Sequence, residues 1–196
     1  MKKYLTVKNI SSIAVLGALG AVLMFFDFPI AIAPSFYKLD LGDLPCLIGA
    51  FAMGPVPALF IQFVKIVIKL LLKPTSTAFV GEMAAFCFSS VYCVTAAFIY
   101  DRKRSRASAL KAMFIASIAM VIAAVLGNYL FIIPAYVKMY NMPLEAIISM
   151  GHAIFPVVND KLSFVLCCVM PFNLIKALIV DVLTLLLYKR ISPILK

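Results

Sequence analysis

Long apolar runs separated by short polar or proline-bearing breaks divide the chain into six helical segments, at about 7–28, 44–53, 55–72, 78–100, 109–133 and 162–188. A helix needs roughly 20 apolar residues to cross a ~30 Å hydrocarbon core. The stretch from Leu44 to Leu72 is too long for one upright span, and Gly54-Pro55 cuts it, because proline removes a backbone donor and restricts the residue before it. The first piece, 44–53, is too short to cross alone and is expected to enter only part of the membrane or to tilt strongly. Loops are expected at 29–42, 73–77 and 101–106. A long connection at 134–160 follows, and its mildly apolar middle predicts a short interfacial helix. The expected fold is an all-α integral membrane protein, one transmembrane bundle of six helices over residues 1–196.

Composition supports this reading. Of the 196 residues, 65% are hydrophobic and only 13% are charged, too few to cover a soluble domain of this size. The net charge of +10 could suggest a nucleic-acid partner, but the basic residues sit beside apolar runs. Lys2, Lys3 and Lys8 precede the first run. Arg102, Lys103, Arg104, Arg106 and Lys111 surround the 101–106 break, and Lys189, Arg190 and Lys196 follow the last run. Under the positive-inside rule these are cytoplasmic anchors. Both termini and the 101–106 loop then lie inside, and loops 29–42, 73–77 and 134–160 lie outside. The first run is longer than a signal-peptide core and lacks a small-residue cleavage site, so it reads as a retained span. The five cysteines fall in apolar runs and read as packing residues, and His152 reads as a loop residue.

Those directions place several polar side chains at one depth. Gln62, Lys65, Lys69 and Lys73, spaced 3, 4 and 4, form a stripe climbing to the outer surface. Glu82, Asn128 and Tyr129 lie near the outer ends of their helices. Asn173 and Lys176, at i and i+3, share one face at mid-membrane. Ionisable groups at that depth are costly and usually face a cavity or a ligand. Pro171 leaves the carbonyl of Cys167 without its helical donor. The plainer roles are an ion pair from Glu82 to Lys65 or Lys69, and a Lys73 that snorkels to headgroups. Asp181 falls near the cytoplasmic interface and reads as a docking or solvated residue. Ala14, Gly17, Ala18 and Ala21 form a small-residue face, suited to a partner helix or to packing within the bundle.

No phosphate loop, dinucleotide fingerprint or H-E-x-x-H motif occurs. Asp40 and Asp43 are the one close carboxylate pair, and they precede a helix, where acidic groups stabilise the N-terminus. No enzymatic role is expected.

Four segments carry a family resemblance: residues 38–55 (KLDLGDLPCLIGAFAMGP), 81–86 (GEMAAF), 128–130 (NYL) and 171–176 (PFNLIK), with 187–190 (LYKR) as a fifth. They resemble the riboflavin-specific substrate-binding (S) components of energy-coupling factor (ECF) transporters. The resemblance implies a six-helix S component of the plasma membrane. It would bind riboflavin from outside and pair with a transmembrane coupling protein and two cytoplasmic ATPases on other chains, with no cofactor of its own. It implies vitamin contacts from Asn128, Asn173 and Lys176, a lid formed by 29–43, and a docking surface at Ala14 and Ala18. The full expected binding set adds Glu82, Lys65, Tyr129, Phe36 and Asp40, with Tyr37, Phe79 and Phe86 as further candidate walls for the ring. An S component for a different vitamin or small metabolite is the alternative.

Overall fold

The computed structural model describes residues 6–75, 77–139 and 141–195, and over 188–195 the backbone alone. Lys2, Lys3 and Lys196, and the side chains of Lys189 and Arg190, therefore lie outside the described residues. Helix α1, Val7–Phe25, starts where Thr6 Oγ1 accepts from the Asn9 amide at 3.3 Å, an N-cap bond. Strands β1 (Phe28–Pro29) and β2 (Lys38–Leu39) pair antiparallel and close the 26–42 loop into a ribbon. Helix α2, Asp43–Met53, ends at Gly54, whose φ of 94° is open to glycine and strained for other residues. Pro55 then occupies the first position of α3, Pro55–Leu72, where its missing N–H costs nothing.

Helix α4 spans Val80–Arg102 and α5 Arg106–Gly127. A π-helical turn, Asn128–Ile132, runs without a break into α6, Ile133–Met139. Helix α7, Leu144–His152, is the short helix expected in the long connection. Helix α8, Lys161–Phe164, is capped by Asp160 and passes through a second π turn, Val165–Val169, into α9, Met170–Leu195.

The fifth segment thus extends past the expected stop at Ile133. Pro134 and Pro171 each stand two residues beyond a π turn. In an ordinary helix the proline ring would strike the carbonyl four residues back. The wider turn lets the chain continue, with Ile133 N–H bonding Asn128 O and Met170 N–H bonding Val165 O.

Among the described residues five helices are long and apolar enough to cross a membrane: Val7–Phe25, Pro55–Leu72, Val80–Arg102, Arg106–Met139 and Lys161–Leu187. The sixth, α2, packs against α1, α3, α4 and α9, and ten of its eleven residues are buried. At about 1.5 Å per residue it cannot cross alone, so it serves as the core around which the long helices gather. Large apolar side chains such as Val15, Leu19, Phe60, Phe114 and Phe131 point outward, as lipid contact requires. The cysteines are all free; Cys46, Cys93 and Cys168 are buried, while Cys87 is exposed. His152 Nδ1 lies 3.0 Å from Val158 O and ties the turn after α7.

Two expectations are corrected here. Asp181 is buried, not solvated: it accepts from Tyr92 Oη and, at 2.8 Å, from Ser117 Oγ, joining α4, α5 and α9. A buried carboxylate without these donors would be costly, which explains the arrangement. The small-residue stripe of α1 divides. Gly17 and Ala21 turn inward, and a Cβ on Gly17 would lie 2.6 Å from Val64 Cγ1, whereas Ala14 is exposed and Ala18 half-buried.

The backbones of α1 and the start of α2 approach closely. A Cβ on Gly20 would lie 2.9 Å from Gly42 O, and one on Gly42 2.8 Å from Gly20 O. Gly20→Val is therefore expected to cost about 1–3 kcal/mol of stability by overpacking. A thermal melt of the detergent-purified variant checks this, and an unchanged midpoint would contradict the packing described.

Candidate binding site

Helices α4, α5 and α9, the 26–42 ribbon and Lys73, Pro74 and Thr77 between α3 and α4 enclose a cavity of about 420 Å³. That falls within the ~300–1,000 Å³ range of small-molecule sites. Its buried end is polar, formed by Asp40, Asn128, Asn173 and Lys176. Its sides are Phe36, Tyr37, Phe88, Met120, Tyr136 and Phe172. Toward solvent stand Asp27, Lys38, Lys69, Lys73, Thr77 and Glu82.

The two asparagines are held alike. Asn128 Nδ2 donates to Ala124 O at 2.8 Å, and Asn173 Nδ2 donates to Val169 O at 2.9 Å, each four residues back. Each bond fixes which end of the amide is nitrogen and leaves a second N–H free to donate. Asn128 Oδ1 also accepts from Tyr37 Oη at 2.6 Å, so a residue of the ribbon orients it. Burial pushes the Tyr37 phenol well above its ordinary pKa, so it remains a donor.

Lys176 Nζ lies 2.9 Å from Asp40 Oδ2 and 3.1 Å from Asp43 Oδ2. The first of these pairs ties the ribbon to α9 across 136 residues of sequence. At the open end Glu82 pairs with Lys69, the second of its two expected partners, and accepts from Thr75 Oγ1 at 2.9 Å and Thr77 Oγ1 at 3.2 Å. Asp27 is shared by Lys38 at 3.5 Å and Lys73 at 3.4 Å, so Lys73 is not simply reaching for headgroups.

Six of the eight expected binding residues, Asn128, Asn173, Lys176, Glu82, Phe36 and Asp40, line this one cavity. Two do not. Lys65 is 1% exposed and lies behind the wall, 2.6 Å from Asp43 Oδ1. Tyr129 faces away, with the Lys161 ammonium 4.4 Å over its ring, a cation–π contact at the periphery. Among the other aromatic candidates only Tyr37 lines the cavity. Phe79 is exposed, and Phe86 packs edge-on against Phe63.

The sequence reading missed Tyr136, because the helix was expected to stop before it. It also took Asp43 for a helix-terminal charge. A signal for Asp43 was present: two mid-membrane lysines, Lys65 and Lys176, require buried carboxylates, and Asp40 and Asp43 are the one close carboxylate pair in the sequence. Among the described residues no group of three His, Cys, Asp or Glu is placed to hold a metal.

A polar-ended, aromatic-walled cavity inside a bundle of long apolar helices defines a membrane-embedded binding protein. The chain belongs to the family of ECF transporter substrate-specific components, whose family model matches residues 8–188. That family supplies the recognition part of a transporter and is not enzymatic. The chain is 30% identical over 189 residues to the riboflavin transporter RibU of Staphylococcus aureus (strain TCH60), covering 96% of this chain and 93% of that one. It is 24% identical over 188 residues to the riboflavin transporter FmnP of Bacillus subtilis (strain 168), covering 95% and 93%. Its fold is similar to a solved S component of a bacterial ECF transporter, with a TM-score of 0.72 and 30% identity over 95% of this chain and 96% of that one.

Proposed function

We propose that this protein is the riboflavin-binding S component of a vitamin uptake transporter. It captures riboflavin from the extracellular side and delivers it together with a coupling protein and two ATPases on other chains. The observation that carries this reading is the meeting of Asn128, Asn173 and Lys176 at the buried end of one aromatic-walled cavity. Riboflavin offers a flat ring whose polar edge alternates carbonyl acceptors with an imide N–H, and a tail of hydroxyls. The free amide N–H groups of Asn128 and Asn173 and the third N–H of Lys176 suit the carbonyls, and Asn173 Oδ1 suits the imide N–H. Phe36, Tyr37, Phe88 and Phe172 suit the ring faces. Asp27, Lys38, Thr77 and the Lys69–Glu82 pair suit the hydroxyl tail at the open end.

The 26–42 ribbon serves as the lid, latched through Asp40–Lys176 and Tyr37–Asn128. The basic 101–106 loop and basic termini put both ends of the chain in the cytoplasm. Ala14, exposed on α1, and its neighbour Ala18 form the face for the coupling protein. Purified from riboflavin-fed cells, the protein is expected to be yellow and to carry about one flavin per chain. A colourless protein that ignores added riboflavin but binds another vitamin would move the reading to an S component of different specificity.

A further inference from the structure

Behind the cavity wall, four charged side chains from four parts of the chain meet in one buried group. Asp43 on α2 and Lys65 on α3 are each 1% exposed, and neither lines the cavity. Asp43 Oδ1 accepts from Lys65 Nζ at 2.6 Å and Gln62 Nε2 at 3.2 Å. Its Oδ2 accepts from Ser89 Oγ at 2.8 Å and lies 3.1 Å from Lys176 Nζ. Asp40 completes the set at 2.9 Å from Lys176. Two ammonium groups are thus balanced by two carboxylates. The other titratable groups nearby are Cys46 on α2 and Cys93 and Tyr92 on α4, with Tyr92 engaged by Asp181. Helices α1 and α5 carry their charges, Lys8, Arg106 and Lys111, in their first two turns and present Gly20 and Met120 here.

The consequence is a lysine that reaches the cavity without net charge behind it. A lone buried ammonium recruits an anion, because an uncompensated buried charge is strongly unfavourable. One already held between two carboxylates has a hydrogen bond left to give and no charge left to satisfy. We infer that Asp43, with Lys65 as its counter-ion, is a positioning residue that sets specificity: it keeps the buried end of the cavity selective for a neutral imide edge over an anionic one. The inference rests on riboflavin being the ligand, and it extends that reading to residues outside the cavity.

The test is the absorption spectrum of riboflavin bound to the detergent-purified full-length protein, followed against pH, since loss of the imide proton changes the flavin spectrum. Asp43→Asn leaves an excess positive charge. The bound imide is then expected to ionise about one pH unit lower than in the wild type, and affinity at neutral pH to fall about 10-fold and recover as pH rises. Lys65→Met leaves an excess negative charge and is expected to move the ionisation up by about one pH unit. The balanced double variant Asp43→Asn/Lys65→Met is expected to return it toward the wild-type value. If Asp43→Asn fails to fold, Lys65→Met and the double variant make the same comparison. Bound flavin whose imide ignores both substitutions overturns this inference alone. Wild-type protein that binds no riboflavin overturns the ligand reading and this inference with it.

Discussion

Lys176→Met is expected to weaken riboflavin binding by more than about 100-fold and to lower the thermal stability of the protein. Two losses combine. A charge-assisted hydrogen bond to the ligand is worth about 1.5–3 kcal/mol. Removing one partner of a buried pair also costs about 3–5 kcal/mol, because the charge left behind is uncompensated. Here Asp40 loses its cation at 2.9 Å, and the ribbon loses its tie to α9. Asp40→Asn/Lys176→Met separates the two losses. Removing both members of the pair leaves Asp43 balanced by Lys65, so the melting temperature should recover while affinity stays low. Titration of flavin fluorescence and a thermal melt on the same preparations read both effects. A Lys176→Met protein that binds riboflavin as tightly as the wild type would remove this residue from the site.

Ala14→Leu is expected to abolish riboflavin uptake by cells while leaving riboflavin binding to the purified protein within about 2-fold. Ala14 is exposed on α1, one turn before the buried Gly17–Val64 contact, so a larger side chain there can be accommodated outside the bundle. What it would meet is a partner helix that needs a smooth surface to come close. Gly17→Leu makes the contrast, because its side chain would enter α3 and damage the fold itself. Uptake assays paired with binding titrations check the separation. Normal uptake by Ala14→Leu would place the docking face elsewhere.

The helix pattern was legible because hydrophobicity is the dominant signal in a bilayer: no polar backbone can face lipid, so apolar runs and spans coincide. The point of failure has a physical cause. Pro134 looks like a helix stop in the sequence, but the π turn at Asn128–Ile132 makes room for its ring, as the turn at Val165–Val169 does for Pro171 inside the expected 162–188 helix. Such a turn is set by tertiary packing and leaves no local mark. The site was legible wherever polarity was out of place, as at Asn128, Asn173 and Lys176, because a buried amide or ammonium in an apolar helix demands a reason. Which way a residue faces was harder to read. Lys65 lies on the same stripe as Lys69 but is held by Asp43 behind the wall, and Tyr129, one position on from Asn128, is turned around the helix toward Lys161; neither lines the cavity. Asp43 was hidden by a sufficient local explanation, that of a charge at a helix start, whereas its actual partners Lys65 and Lys176 lie 22 and 133 residues away in sequence.

The most direct measurement is a structure of the riboflavin complex. It is expected to show the polar edge of the ring within hydrogen-bond distance of Asn128, Asn173 and Lys176, the ring faces against Phe36, Tyr37 and Phe172, and the hydroxyl tail toward Glu82 and Lys69. Flavin bound outside this cavity, or bound within it with its polar edge turned away from all three residues, would contradict the account.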